Sequence, residues 1–363
     1  MKNIAIKSLG ILTVASLIST SALAQVTVSG YVEAGFLTGN NTGGRTASSS
    51  GMGGESVVTI TGKGNLTNGW TYMAYQNLDS DDAGNRRNAE TRNNVMSTRA
   101  IEISPNKDIK LFYTFDGVYG GEIARTAVPT VTERVGDMTG ASGISEFIDV
   151  TGGSHAFGFD VLNVGPAGRL SVAYNPNFHS VAQSSSDRIQ SGTLQTTGTT
   201  AASGYSIGYS VTPGPVKVAL GLTKIDQQHN TTAQDATSKT LGVTYTGSEF
   251  AIGAQRTKND GTKAALLTTA NIEDQIDTVA ASFKANKEIT LGLSYSEMER
   301  TGAVLTKGPD LKVTQAVIAY NLGPVVASIA YEDVKNAPAI GTNSATASGQ
   351  DAQTTKIKVK ANF

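Results

Sequence analysis

Three histidines, His155, His179 and His229, are the side chains best suited by type to metal or acid–base chemistry, and their spacing suits neither. They stand far apart, in or beside polar segments, without the close spacing that sets two ligands on one metal ion. Solvated loop histidines fit that pattern. Asp79-Ser80-Asp81-Asp82 offers the hard oxygens a calcium ion takes, but it lacks the spacing and the distal glutamate of a helix–loop–helix calcium site. That run reads as a solvated loop, with weak surface Ca2+ binding as the alternative. Gly39 to Gly54 is glycine-rich but opens no helix, so it is no phosphate loop. No G-x-S-x-G nucleophile elbow occurs. The sequence therefore offers no catalytic, cofactor-binding or metal-ligating candidate and reads as a non-enzyme.

Charges spaced for another task occur at the C-terminus. Residues 355–363 read T-K-I-K-V-K-A-N-F, with Lys356, Lys358 and Lys360 on one face of a strand and Ile357, Val359, Ala361 and Phe363 on the other. A strand with one face in hydrocarbon and the other in a wet lumen satisfies both rows. An edge strand with surface lysines is the alternative. Recurrence of the alternation along the chain favours the first.

The elements that must position these lysines are paired strands. The first runs from Val26 to Phe36, and seven hairpins follow: residues 57–64 with 70–78, 98–103 with 109–115, 157–164 with 169–175, 205–211 with 216–225, 240–246 with 250–257, 278–284 with 289–296, and 312–320 with 325–332. With the last strand they make sixteen. Short turns alternate with long polar loops, so an even count puts both termini on the short-turn side and lets the first and last strands pair. The expected fold is all-β, a sixteen-stranded antiparallel transmembrane barrel with long extracellular loops. Outward apolar parity sets Trp70, Tyr209, Tyr245, Phe250, Phe283, Tyr320 and Phe363 near the short-turn ends, and Phe36, Tyr174, Tyr295 and Tyr331 near the loop ends. Two aromatic rings about a strand length apart match the two faces of a bilayer. Lumen-parity cations are Lys110, Lys217 and Lys284 besides the three terminal lysines, and Arg169 near the periplasmic end. Lumen positions such as Ala219, Gly221, Thr223, Gly292 and Ser294 are small, which suits an open bore.

Residues 1–24 read as an export leader: Lys2 and Lys7, a short apolar run from Ile11 to Ile18, and a small-x-small site at Ala22-Leu23-Ala24, with residues 25–363 as the barrel. Losing two lysines and no acid makes the formal charge of −1 more negative by two units, which argues against a nucleic-acid partner. There is no cysteine, so disulfides and thiolate metal sites are excluded. A mean hydropathy of −0.14 is far too low for a helical membrane protein but fits an alternating barrel.

Gly62-Lys63-Gly64-Asn65-Leu66-Thr67-Asn68-Gly69, followed by a strand ending Asn77-Leu78-Asp79, resembles the second hairpin of trimeric Gram-negative general porins. Arg99 and the run Phe112 to Gly120 are similar to the strands leading into that family's third extracellular loop, and Phe363 to the signal read by the outer-membrane barrel-assembly machinery. The local likeness covers about residues 26–120 and the last ten. It implies a homotrimer whose third loop folds into the bore, with loop acids facing basic wall residues. Here that loop is residues 116–154, with Asp116, Glu122, Glu133, Asp137, Glu146 and Asp149. An outside loop with solvated acids is the alternative. The family's second-strand arginine is replaced by Val57, Val58 and Thr59. Arg99 is the family's candidate wall cation, yet the parity of Ile101 and Ile103 turns it outward unless a bulge intervenes.

The expected function is passive diffusion of small hydrophilic solutes and ions across the bacterial outer membrane, with outer-membrane lipid around the barrel and no cofactor. A solute-selective pore, for instance for anions, is the alternative, and an adhesin barrel a more distant one.

Overall fold

The computed structural model describes residues 25–40, 49–81, 96–115, 117–125, 127–132, 134–135, 138, 147, 150–151, 155–165, 168–178, 202–226, 235–260, 272–302, 310–337 and 350–363. The expected leader, residues 1–24, lies outside them, as do His179 and His229.

Sixteen strands are described: β1 (Gln25–Asn40), β2 (Ser49–Asn65), β3 (Thr71–Asp81), β4 (Met96–Ser104), β5 (Ile109–Phe115), β6 (His155–Val164), β7 (Gly168–Phe178), β8 (Ala202–Val211), β9 (Val216–Asp226), β10 (Ala236–Thr246), β11 (Phe250–Asp260), β12 (Ile272–Lys284), β13 (Ile289–Gly302), β14 (Leu311–Leu322), β15 (Val325–Ala337) and β16 (Gln350–Asn362). Each pairs with its chain neighbours, and β1 pairs antiparallel with β16 from Tyr31 opposite Asn362 to Asn40 opposite Gln353, which closes the barrel. Beyond that ladder Gly30 and Phe363 exchange two backbone hydrogen bonds of 3.0 Å. Residue 30 has to be glycine, since a Cβ there would meet the Val57 carbonyl and the Phe363 ring.

The two faces divide as the alternation requires. Ile357 and Val359 are about half exposed on the outside, while Lys358 between them is 8% exposed on the inside. Leu241, Val243, Ile252, Val279, Leu293, Ile318 and Ile329 continue the outward apolar band. Two short turns share a sequence and a mechanism: Asn106-Lys107-Asp108-Ile109 and Asn286-Lys287-Glu288-Ile289. In each, the asparagine Oδ1 accepts from the backbone N–H groups two and three residues on, at 2.7–2.9 Å.

Turn-side strand ends fall within two residues of those expected, but the loop-side ends run further. β2 begins at Ser49 instead of 57, and β13 continues to Gly302 instead of 296. Charged pairs stand on outward positions in and beside these extensions. Arg256 Nε lies 2.6 Å from Asp277 Oδ1, Lys258 Nζ 3.3 Å from Glu273, Lys312 Nζ 3.1 Å from Glu297 and Lys335 Nζ 3.0 Å from Asp351. The strands therefore rise above the apolar band into water, where the sheet needs no greasy face and such pairs add little stability.

Candidate functional site

The segment after β5 turns into the barrel and lies against its inner wall. Tyr119 stacks on Phe112 with ring centroids 4.0 Å apart, and its hydroxyl donates to Glu102 Oε1 at 2.5 Å. Burial, and then the hydrogen bond that the phenol donates to Glu102, push Tyr119 above its ordinary pKa. A short 3-10 turn, Gly120–Ala124, follows. The Gly120 and Gly121 N–H groups donate to the hydroxyls of Ser171 on β7 and Ser206 on β8, at 2.6 and 3.1 Å.

The chain then travels along the wall. Ala127 N–H donates to Gln255 Oε1 on β11, and its carbonyl accepts from Thr244 on β10. The Arg134 carbonyl accepts from Gln315 Nε2 on β14 at 2.9 Å. Val135 enters an apolar cluster with Ile276, Met298, Leu311, Val313, Val334 and Ala352, contributed by β12 to β16. Met138 packs with Val317 and Ala330. The return limb passes Phe147 and reaches Val150, whose carbonyl accepts from Asn175 on β7.

Small wall residues make this possible, and this corrects their expected role. A Cβ at Gly208 would meet the Gly120 carbonyl, one at Gly221 the Phe147 ring, one at Gly242 the Ala127 Cβ, and one at Gly292 the Val131 side chain. These positions are small because the loop lies on them, and the space they leave is filled by chain.

The expected opposition of loop acids and wall lysines falls mostly outside the described residues, and the described charged groups pair as follows. Of the loop acids, Glu122 is described, and it pairs with Arg125 of the loop itself at 2.8 Å. Asp116, Glu133, Asp137, Glu146 and Asp149 lie outside the described residues. Lys358 Nζ is 3.3 Å and Lys360 Nζ 4.0 Å from Glu33 Oε2 on β1. Lys360 also stands 3.2 Å over the Tyr31 ring, and the Tyr31 hydroxyl donates to Glu55 at 2.8 Å. Lys356 shares that inner face of β16. Lys110 is inward, beneath the loop, bound to Glu102 at 2.9 Å. Lys217 and Lys284 stand at the turn-side ends of β9 and β12. Arg169 reaches the buried Asp160 at 2.8 Å and donates to the Val118 carbonyl.

Arg99 is not on the inner wall. Its guanidinium lies 4.9 Å from the centroid of Phe115 and 3.3 Å from His155 Nε2, while His155 Nδ1 is 2.7 Å from the Tyr113 hydroxyl. Tyr113 is an exposed outward residue, so the whole group sits on the outer face. The cause is the parity of Ile101 and Ile103, with no bulge between β4 and β5 to reverse it. Sequence reasoning did not single out Glu33, Glu55, Tyr119, Arg125, Gln255 or Gln315. Inward parity flags the wall residues, but the loop contacts span up to 181 positions and leave no local pattern.

Chemically, the arrangement can sort by size and charge. A wet lumen narrowed by a fixed loop admits small solutes, and fixed charges at close range act on each ion that passes. Among the described residues no group of three or more histidine, cysteine, aspartate or glutamate side chains could hold a metal ion.

Residues 12–104 match the family model described as Gram-negative porin. No curated protein matches the chain. Among solved structures, an anion-selective porin from Comamonas acidovorans is 16% identical with a TM-score of 0.64, covering 94% of this chain and 100% of that one. A porin refined at 1.8 Å resolution is 15% identical with a TM-score of 0.60, over 93% of this chain and 100% of the other. A loop-deleted form of OmpT, an outer membrane protein of Vibrio cholerae, is 12% identical with a TM-score of 0.62, over 94% and 99%. At these identities the structural likeness carries the fold.

Proposed function

We infer that the chain is a porin of the Gram-negative outer membrane, a non-enzymatic channel through which small hydrophilic solutes and ions diffuse passively. One observation carries this: the described residues between 117 and 151 lie inside a closed barrel whose outer face is apolar. An outside loop would leave Val135 and Met138 in water and the wall glycines uncovered. Planar-bilayer recording tests it. Steady ohmic steps and swelling of liposomes in small sugars are expected, and membrane-inserted protein without conductance would overturn the reading.

Residues 1–24 act as a cleaved leader in this proposal, so the mature chain starts at Gln25. N-terminal sequencing of membrane-extracted protein checks that start. We also propose a homotrimer. Ser56, Gln76 and Arg99 interrupt the outward face of β2 to β4 among Val58, Ile60 and Ile101. A polar row facing hydrocarbon is costly, and a second copy offers it partners that lipid tails lack. The assembly machinery engages the β16 strand and Phe363. The loop acids Asp116, Glu133, Asp137, Glu146 and Asp149 are proposed to add negative charge to the narrow zone.

Anion preference is the second reading. It is favoured by the inward row Lys356, Lys358 and Lys360 and by the anion-selective porin among the fold's matches. Glu33, Glu55 and Asp79, inward on β1 to β3, oppose it. Reversal potentials in a salt gradient decide between the two.

A further inference from the structure

We infer that Gln255 and Gln315 are positioning residues that clasp the loop to the wall and so set the size limit of the pore. This rests on the reading of the chain as a diffusion channel narrowed by that loop.

Both side chains are inward and buried, at 8% and 2% exposure. The Gln255 amide behaves as a peptide group. Its Nε2 donates to the Arg125 carbonyl at 3.0 Å, and its Oε1 accepts from Ala127 N–H at 3.0 Å. The Arg125 carbonyl can only accept and the Ala127 N–H can only donate, so they fix which way the amide points, while the hydroxyls of Thr240 and Thr257 lie 3.0 and 3.3 Å from its Nε2. Gln315 Nε2 donates to the Arg134 carbonyl and, at 3.0 Å, to Glu332. Glu332 is fully buried, and its Oε2 accepts from this amide and holds it in place.

Between the clasps the described contacts with the wall are apolar. Pro129 lies against Gly253 and Val131 against Gly292, both through apolar contact. Apolar contact resists separation but lets surfaces slide. Nor is the contact close-packed, because a cavity of about 40 Å³ lies between the loop and the wall, lined by both glutamines. That is room for water, which would solvate the freed carbonyls if the amides were gone. The two amides are thus directional restraints on the described residues of 125–134, beside the Thr244 hydroxyl at the Ala127 carbonyl. Losing one hydrogen bond of this kind shifts the docked–undocked balance about five-fold.

The test is a Gln255→Leu, Gln315→Leu double variant, with Gln275→Leu on the outer face of β12 as control. Liposome swelling with sugars of rising size should show a larger limit for the double variant, and single-channel traces should show higher, noisier conductance. The control should match the wild type. A second arm adds Val131→Cys and Gly292→Cys to the double variant. A Cβ at residue 292 stands 3.2 Å from the Val131 Cβ, close to disulfide reach, and the chain has no other cysteine. Oxidation should return the size limit towards wild type, and reduction should release it again, which a damaged barrel would not do. If the double variant does not assemble, each single variant is read in the same assays. An unchanged size limit and noise level in assembled variants overturns the clasp proposal alone. A wild-type protein that forms no channel overturns the reading beneath it.

Discussion

Glu102 shows how single side chains share work in this bore. One oxygen takes the Tyr119 hydroxyl at 2.5 Å and the other the Lys110 ammonium at 2.9 Å, with the carboxylate nearly buried. Tyr119→Phe keeps the stack on Phe112 but strips a donor from a buried acceptor, a loss of about 1–3 kcal/mol. That loss falls on the loop, since Glu102 keeps Lys110. Limited proteolysis should nick the loop faster while the barrel's heat-modifiability stays as in wild type; equal nicking rates would count against the contact. At the seam, Lys358→Gln removes the closer partner of Glu33 and leaves Lys360 at 4.0 Å. The lumen then gains net negative charge, so the reversal potential should move towards cations, and less so as salt rises and screening shortens. Its neighbour Val359→Arg faces outward and should instead destabilise insertion, by about 2–4 kcal/mol near the bilayer midplane. Equal effects from two adjacent residues would contradict the assigned faces.

The strands were legible because each carries a period of two under a strong external demand. An outward side chain within the bilayer must be apolar, so Ile252, Val279, Ile318 and Val359 declare their face. The turns were legible through their chemistry, as in the shared Asn-Lys-acid-Ile sequence. Above the apolar band the demand lapses, and Lys258, Asp277 and Lys335 look like loop residues, which is why the loop-side ends were read too short. Arg99 is instructive in the other direction: strand parity turned it outward while family likeness placed it on the wall, and local pleat geometry won. The glycine track had a visible signature with the wrong cause attached. Gly242 supplies its test. A strand position favours valine over glycine, so Gly242→Val should leave the barrel at least as stable. A Cβ there, however, would stand 2.0 Å from the Ala127 Cβ, and Ala127 is held in place by Thr244 and Gln255. The loop must shift, so conductance should change with thermal stability preserved. A variant with unaltered traces would mean that the loop does not lie on this track in the membrane.

At the scale of the molecule, closure decides everything else. No disulfide is available, and an unclosed sheet would leave β1 and β16 with open edges in lipid, where unpaired backbone groups are costly. Phe363 finishes the seam through its two bonds to Gly30, beyond the last ladder pair. Its deletion should leave synthesis and export intact but lower the yield of membrane-inserted, heat-modifiable protein. Wild-type yield would show that the seam closes without it.

The seating of Val135 also imposes an order in time. Its pocket includes Val313 of β14, Val334 of β15 and Ala352 of β16, which leave the ribosome some two hundred residues after it. Until those strands arrive, the loop is tethered at Tyr119 and, through Gly120, Gly121, Ala127 and Val150, to β7, β8, β10 and β11, but Val135 has no complete seat. A half-made chain must therefore present an apolar loop tip to whatever escorts it through the periplasm. Loop docking and barrel closure then become one late event, slow because the contacts that reward it are so far apart in sequence. Insertion and narrowing of the pore are in that sense the same step.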